Sequence, residues 1–520
     1  MNRKSIGIFG LFCGLFLFLS FMTSSSWLDP FHGTFLQPNN IENLLRRTSM
    51  FGLLGIGVAF VIMTSGIDLS IGSIVCLSGC LLAIFLQVDY RAMDRKEVLQ
   101  IQASDHTILI PGEQSVFAKG DTIRLFGARR AKNAFLQVDG IETVQIENGG
   151  GGALGKASLL TVTGDLSNND DSGQIAKVIP IASFQRSADG KESKVTLDAS
   201  ISNLRPRDQV MLVHPKQGQK QSEIKSSIVE GSRTQLDLQR DLGSDFAEGW
   251  FAIPMYRHQR MSIPLALLSV LVIAAGLGAV HGLLITRVRL QPFIVTLCGL
   301  LIYRSVSRWL VNDQPVGFGM EYAQSLSPLG SGKWVLYQWD SNGDTMTFGI
   351  PYPLFILVGL AIAAAVFLNL TVWGRYLLAL GRNEEAARYS GINTARVTML
   401  AYVLCTTAAA AGGMLFALDA NSVSPSSFGN IFELYAIAAA VLGGCSLRGG
   451  EGTIVGVIIG TSVMQMLNNL TLHMKISDKW EGAIIGAVIL IGVMTDELVR
   501  RYAAKRRALQ EAKNRALASE

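Results

Sequence analysis

Ten apolar runs and one long polar stretch between them limit what this chain can fold into. A helix needs about 20 mostly apolar residues to cross a bilayer. Runs of that kind fall at 6–22, 44–64, 69–87, 262–286, 292–311, 351–371, 398–418, 433–446, 453–471 and 481–497. Asp, Glu, Lys and Arg together make up only 16% of the chain, against roughly 25% in soluble domains. The expected fold is an all-α polytopic membrane protein of about ten helices, some of them broken, carrying an inserted β-rich soluble domain. The eighth run is short, as broken helices that line a pathway often are.

The net charge of +5 is small, and the basic residues lie beside the apolar runs, where they set orientation. This distribution argues against a nucleic-acid partner. Arg3 and Lys4, then Arg287 and Arg289, then Arg375, Arg382, Arg388 and Arg396, and finally the basic tail 499–520 all mark cytoplasmic segments. Ten crossings with both ends inside satisfy all four. The start, "MNRKSIGIFGLFCGLFLFLSF", has the form of a signal peptide without a clean small-x-small cleavage site, and is expected to stay as the first span.

Between 88 and 260 the chain turns polar, with short alternating runs such as "DTIRLF", "HTILI", "DQVMLV" and "TQLDL". Two pairs echo each other: "AKGDTIRLFG" with "RPRDQVMLVH", and "LLTVTGDL" with "TQLDLQRDL". Two small barrel-like or sandwich-like halves are expected. The domain boundaries follow: spans 1–3 in 1–87, the insert at 88–260, spans 4–10 in 261–498 with a cytoplasmic loop at 371–397. Parity puts the insert outside the cytoplasm. Arg91, Arg95, Lys96, Arg257 and Arg260 flank it against the positive-inside tendency, which long domains can override. All six cysteines lie in or beside apolar runs, so no disulfide framework is expected in the insert. Cys76 and Cys80 are one helical turn apart, but lack the further ligands of a metal site.

The stretch "TSGIDLSIGS" puts Asp68 at bilayer depth, where a charge needs a partner or a purpose. Gly66 and Gly72 are expected to let the backbone leave the helix there. Asp68 and Ser70 would cap the restarting helix, with Ser73 just beyond; direct contact with a transport path is the competing reading. Glu433, at the start of the eighth run, would face a polar pathway or a helix interface. His281, alone in the fourth run, reads as a packing residue. "GGGGALGKAS" comes close to a phosphate-binding loop, but Ala157 replaces the magnesium-binding hydroxyl and a strand pattern follows, so a flexible glycine loop is expected. Glu384, Glu385, Ala386 and Ala387 fit a short amphipathic helix ended by Gly391, or else a solvated loop. Gly452, Gly456 and Gly460, like Gly482 and Gly486, recur at a spacing that lets helices approach closely. No arrangement of catalytic or metal-binding residues stands out.

Four motifs carry a resemblance: "TSGIDLSIGSIVCLSGCLLA", "GLLITRVRLQPFIVTLCGLLIYR", "GRYLLALGRNEEAARYSGIN" and "YAIAAAVLGGCSLRGGEGTIVGVIIG". In order, and covering roughly 40–87 and 262–498, they resemble the permease subunits of ribose-, xylose- and galactose-type ABC sugar importers. The resemblance implies a non-enzymatic, multi-pass subunit of a bacterial inner membrane. It would pair with a second permease copy or a sister permease, and take sugar from an extracytoplasmic sugar-binding protein. A cytoplasmic ABC ATPase would supply the ATP and magnesium, leaving this chain without a cofactor. Glu384, Glu385, Ala386, Ala387 and Gly391 would then couple to the ATPase. Gly66, Asp68, Ser70, Gly72, Ser73 and Glu433 would form the broken helix and translocation path. Family members have only a short connection where this chain has 88–260. Two rivals from other classes stand beside this reading. One is an ion-coupled transporter using Asp68, His281 and Glu433; the other is a membrane-anchored sensor or enzyme acting through the insert.

Overall fold

A computed structural model of the chain describes residues 3–24 and 33–474, with a few residues between 480 and 494. Within that span it leaves out 113–115, 127–133, 149–151, 165, 167–172, 187–191, 216, 241, 243–248, 320 and 342–343. The chain divides into two compact units, Met1–Gln87 with Met261–Glu520, and Val88–Arg260.

The first unit is a helix bundle. Its helices are α1 (Arg3–Thr23), α2 (Pro38–Met63), α3 (Ile71–Phe85), α4 (Ile263–Thr286), α5 (Pro292–Leu310), α6 (Pro328–Ser331), α7 (Tyr352–Leu370), α8 (Val372–Arg382), α9 (Glu384–Tyr389), α10 (Thr394–Ala420), α11 (Phe432–Leu442) and α12 (Ile454–His473). Pro38, Pro264, Pro292 and Pro353 start four of the long helices, where a missing N–H costs nothing and φ is already helical. Among the described residues six helices are long and apolar enough to span a membrane: α2, α4, α5, α7, α10 and α12. Shorter apolar stretches lie in α1, α3 and α11. The expected tenth span at 481–497 and the basic tail lie almost wholly outside the described residues.

Burial separates the long helices into two kinds. The apolar window of α2 is 83% buried, whereas those of α4, α5 and α7 are 22–28% buried. An apolar helix that leaves most of its surface open needs lipid or another apolar partner around it. The chain is therefore a polytopic membrane protein with α2 at its centre, packed against α10, α11, α12 and α7.

The bundle is not purely helical, contrary to the all-α expectation. Its strands are β14 (Val316–Gly317), β15 (Lys333–Ser341), β16 (Asp344–Pro351) and β17 (Ser422–Val423), and β15 and β16 form an antiparallel hairpin. Glu42 on α2 fastens that hairpin, accepting from the Lys333 ammonium at 2.8 Å and the Gly349 N–H at 2.7 Å. β14 pairs with β17.

The second unit contains β1 (Val88–Ala92), β2 (Lys96–Val98), β3 (Gln100–Gln102), β4 (Thr107–Pro111), β5 (Thr122–Phe126), β6 (Ala134–Asn148), β7 (Gly152–Thr163), β8 (Gly173–Arg186), β9 (Ser193–Leu197), β10 (Gln209–His214), β11 (Gly218–Glu230), β12 (Arg233–Leu238) and β13 (Phe251–Gln259). Their pairings trace two closed rings. The first runs β8–β5–β6–β7–β4–β3 and returns through β2 to β8. The second runs β8–β9–β12–β11–β10–β13 and closes from β13 onto β8. The long β8 belongs to both rings, and each encloses its own apolar core. Closure leaves neither barrel with an exposed edge strand. The expected glycine loop is strand from Gly152 onward, with Gly155 and Lys156 inside β7; Gly149 to Gly151 lie outside the described residues.

The two sequence echoes occupy equivalent places. β5 lies beside β8 and β10 beside β13, and β7 and β12 sit two strands further round. The turns entering β5 and β10 are built alike. Asp121 accepts from the Ala118 N–H at 2.7 Å, and Asp208 accepts from the Arg205 N–H at 2.7 Å. The residue before each aspartate is left-handed: Gly120 with φ 94° and Arg207 with φ 77°. The paired positions Arg124 and Met211 touch where the barrels join, with the guanidinium 3.6 Å from the sulfur and 5.0 Å from the Phe126 ring. Burial pushes the Arg124 guanidinium below its usual pKa.

The repeated turn predicts opposite signs for two substitutions. Arg207→Gly should stabilise the insert by about 0.5–1 kcal/mol and Gly120→Ala should destabilise it by about 1 kcal/mol. Thermal unfolding followed by the β signal in circular dichroism measures both.

Candidate functional site

The apolar run over 44–87 breaks between Met63 and Ile71. Gly66 N–H still bonds back to the Val61 carbonyl at 3.0 Å, after which the chain leaves the helix. Asp68, Ser70 and Ser73 are all fully buried. Asp68 Oδ1 accepts the Ser70 N–H at 2.9 Å and the Ser70 hydroxyl at 2.6 Å. The Ser73 hydroxyl donates to the Ser70 carbonyl at 2.7 Å. Ser70 is the N-cap of α3, yet its side chain makes no bond to the first turn. The aspartate thus shapes the turn that leads into α3, while the serine faces back toward it.

A helix break also frees carbonyls, which must find donors away from water. The Ile67 carbonyl accepts from Thr296 of α5 at 3.3 Å and from Tyr402 of α10 at 3.4 Å. Beside Tyr402, His281 of α4 shares a 2.8 Å hydrogen bond between its Nε2 and the Tyr303 hydroxyl. A Cβ at Gly66 would stand 2.7 Å from the Tyr402 hydroxyl, so Gly66 serves close approach here. Gly72 serves the same end, and does not release the helix as expected. It lies inside α3, where a Cβ would collide with the Glu433 carboxylate and the Gly429 carbonyl.

Asp68→Ala would leave a buried N–H and a buried hydroxyl without an acceptor, costing about 1–3 kcal/mol. Asp68→Asn keeps the accepting oxygen and should lose less than half of that. Melting temperatures in detergent compare the two, and an equal loss would show that the charge itself holds the turn.

Glu433, half-buried at the start of α11, belongs to a second polar group. Arg304 of α5 donates to the Phe428 carbonyl and, at 3.3 Å, to that of Pro425, in the loop that leads to Glu433. Arg304 holds the loop before α11 against α3 and α5. Sequence reasoning passed it over, although an arginine inside an apolar span is a signal in itself.

The remaining candidates form a separate surface. Thr371 caps α8, accepting from the Gly374 N–H at 3.2 Å, and Asn383 caps α9, accepting from the Ala386 N–H at 2.9 Å. Gly391, with φ 82°, follows α9 in the left-handed conformation that ends helices. Ala387 is buried, whereas Glu384, Glu385, Ala386, Arg388 and Gly391 are exposed, and Tyr389 is 83% exposed. This helix offers two carboxylates, a guanidinium and an aromatic ring, which suits a protein partner.

The profile of a family described as "Branched-chain amino acid transport system / permease component" matches residues 243–493. The ribose import permease of Escherichia coli strain K12 is 36% identical over 231 residues, covering 44% of this chain and 68% of the relative. The ribose import permease of Bacillus subtilis strain 168 is 35% identical over 217 residues, 42% of this chain and 62% of the relative. The xylose transport permease of Escherichia coli strain K12 is 29% identical over 284 residues, 46% and 72%. No solved structure matches the chain. At 36% identity across 68% of the Escherichia coli ribose import permease, the chain belongs to the family of the ribose-type import permeases.

Proposed function

We propose that this chain is the membrane-spanning subunit of an ATP-driven importer of monosaccharides, resident in a bacterial inner membrane. The observation that carries the proposal is α9, a short helix capped at both ends and exposed along Glu384, Glu385, Arg388 and Tyr389. In this reading α9 docks on a cytoplasmic ABC ATPase, which binds the ATP and magnesium. A sugar-binding protein delivers from the opposite side, and a second permease copy or a sister permease completes the path. By parity of crossings 88–260 is extracytoplasmic.

The polar groups divide between two tasks. Asp68, Ser70 and Ser73 bond to one another in the interior, which suits a hinge, with Gly66 and Gly72 providing close contact. Glu433 and Arg304, both partly exposed, suit the wall of the path. A sugar is neutral and rich in hydroxyls, so an arginine already donating to two carbonyls holds it weakly and releases it. Alternating access needs only that the two bundle states differ in their affinity for the docked partners.

The experiment is uptake of labelled ribose and xylose into proteoliposomes holding the complex purified through a tagged permease. Uptake that requires ATP and survives collapse of proton and sodium gradients is the expected result. Uptake driven by either gradient without ATP would replace this reading with an ion-coupled one.

A further inference from the structure

We infer that Ser65 is a positioning residue that ties the ATPase-docking element to the helix break, so that the two move as one piece. The inference rests on the proposed docking role of α9.

Three segments far apart in sequence meet at Ser65. Its hydroxyl lies 3.1 Å from the Gly381 carbonyl and 2.8 Å from the Arg448 carbonyl, and its single proton can serve either. The Gly450 N–H donates to the Met63 carbonyl at 2.9 Å, next to it in the chain. Backbone meets backbone at most of these contacts, with the Arg382 side chain beside Gly450. A Cβ at Gly381 would overlap the Met63 carbonyl and the Gly450 nitrogen. One at Gly449 would overlap the Ser65 hydroxyl, and one at Gly450 would come within 2.9 Å of the Arg382 nitrogen.

Each segment leads directly to a candidate element. Gly381 and Arg382 end α8, and the next residue, Asn383, caps α9. Met63 ends α2, and Ser65 opens the break that closes at Ser70 and α3. Residues 446–451 connect α11 to α12 in a turn bonded from the Ser446 N–H to the Glu451 carbonyl at 3.1 Å. Side chains absorb small displacements by changing rotamer, but backbone packed on backbone has no such slack. A push on α9 therefore reaches the break and the α11–α12 turn together.

Ser65 itself points to the hydroxyl as the working part. It sits just past the end of α2 with φ 63°, in the left-handed region that glycine adopts without strain. Glycine would fit the backbone better but could not bridge the two carbonyls.

The test uses Ser65→Gly, which relieves the backbone and deletes the hydroxyl, with Ser65→Ala as the second variant. For the tagged complex four quantities are measured: its melting temperature and, in proteoliposomes, retained ATPase, ATP hydrolysed, and sugar taken up per ATP. The sugar is whichever of ribose and xylose the parent complex transports. For Ser65→Gly, retained ATPase and hydrolysis should stay within about twofold, while sugar per ATP falls about tenfold, the span of a typical coupling free energy. Unchanged sugar per ATP in both variants overturns the inference. So does a parallel fall of melting temperature, hydrolysis and uptake, which marks a merely structural cap. Failure of the docking reading looks different: the ATPase would stay bound when α9 itself is altered, whatever Ser65 does.

Discussion

Changing Glu384 and Glu385 to lysine, together with Tyr389→Ala, is expected to leave the protein in the membrane at parental levels and to cut ATP-driven uptake at least tenfold. The helix contributes almost nothing to its own unit's core, because only Ala387 is buried. Its stability comes from the Asn383 cap and from Gly391, neither of which the triple variant touches. What changes is the exposed face, from two negative charges and an aromatic ring to two positive charges and a methyl group. An exposed tyrosine at a protein contact is often worth about 2 kcal/mol or more, roughly thirtyfold in affinity. Like charges brought into an interface add to the loss. Co-purification of the ATPase with the tagged variant measures the affinity, and uptake in cells measures the consequence. Full uptake with the ATPase still bound would remove α9 from the docking role.

The second large effect concerns packing inside the bundle. Gly460→Leu on α12 should destabilise the protein by about 3 kcal/mol or more, and reduce the amount found folded in the membrane severalfold. A Cβ there would overlap the Ala439 carbonyl and stand 2.6 Å from the Gly443 nitrogen, so α11 and α12 touch backbone to backbone. α11 is only 11 residues long and is held between α12 and α2, so no slack remains for it to retreat. Gly482→Leu is the matched control, since among the described residues nothing lies within 4 Å of a Cβ at that position. It should change stability by less than about 0.5 kcal/mol, as open surface sites do. Heat-resistant protein after detergent extraction, quantified on a gel, distinguishes the two.

That contrast explains part of what the sequence could convey. Gly456 and Gly460 recur at the same four-residue step as Gly482 and Gly486, but among the described residues only the first pair presses on another helix. Periodicity marks where helices can approach, while the partner that makes a glycine necessary lies elsewhere in the chain. Long spans were legible because length and hydrophobicity are local properties. The hairpin of β15 and β16 was not: "KWVLYQWDSNGDTMTFGIP" alternates and carries Asn-Gly, but so short a pattern is outweighed by the strong spans on either side. The barrels were half legible. Like turns at Asp121 and Asp208 left a visible echo, whereas the sharing of β8 between two rings depends on register and leaves none. For Asp68 a local cap was readable from spacing, but Thr296, Tyr402 and Arg304, which complete the interior, come from helices hundreds of residues away.

The ends of the insert carry a consequence for how the bundle assembles. β1 pairs along its whole length with the end of β13, from Val88 against Gln259 to Ala92 against Met255, and Arg260 meets Asp89 at 3.3 Å. Once zipped, this stem delivers the chain from α3 to α4 across one strand spacing, about 5 Å. Unzipped, the same segment is a loop of residues 88–260, whose closure costs about 2–3 kcal/mol more than a connection of about ten residues. The insert thus works as a ligature on the bundle. Substitutions that unfold it should weaken the membrane helices more than clean excision with a short linker between Gln87 and Met261.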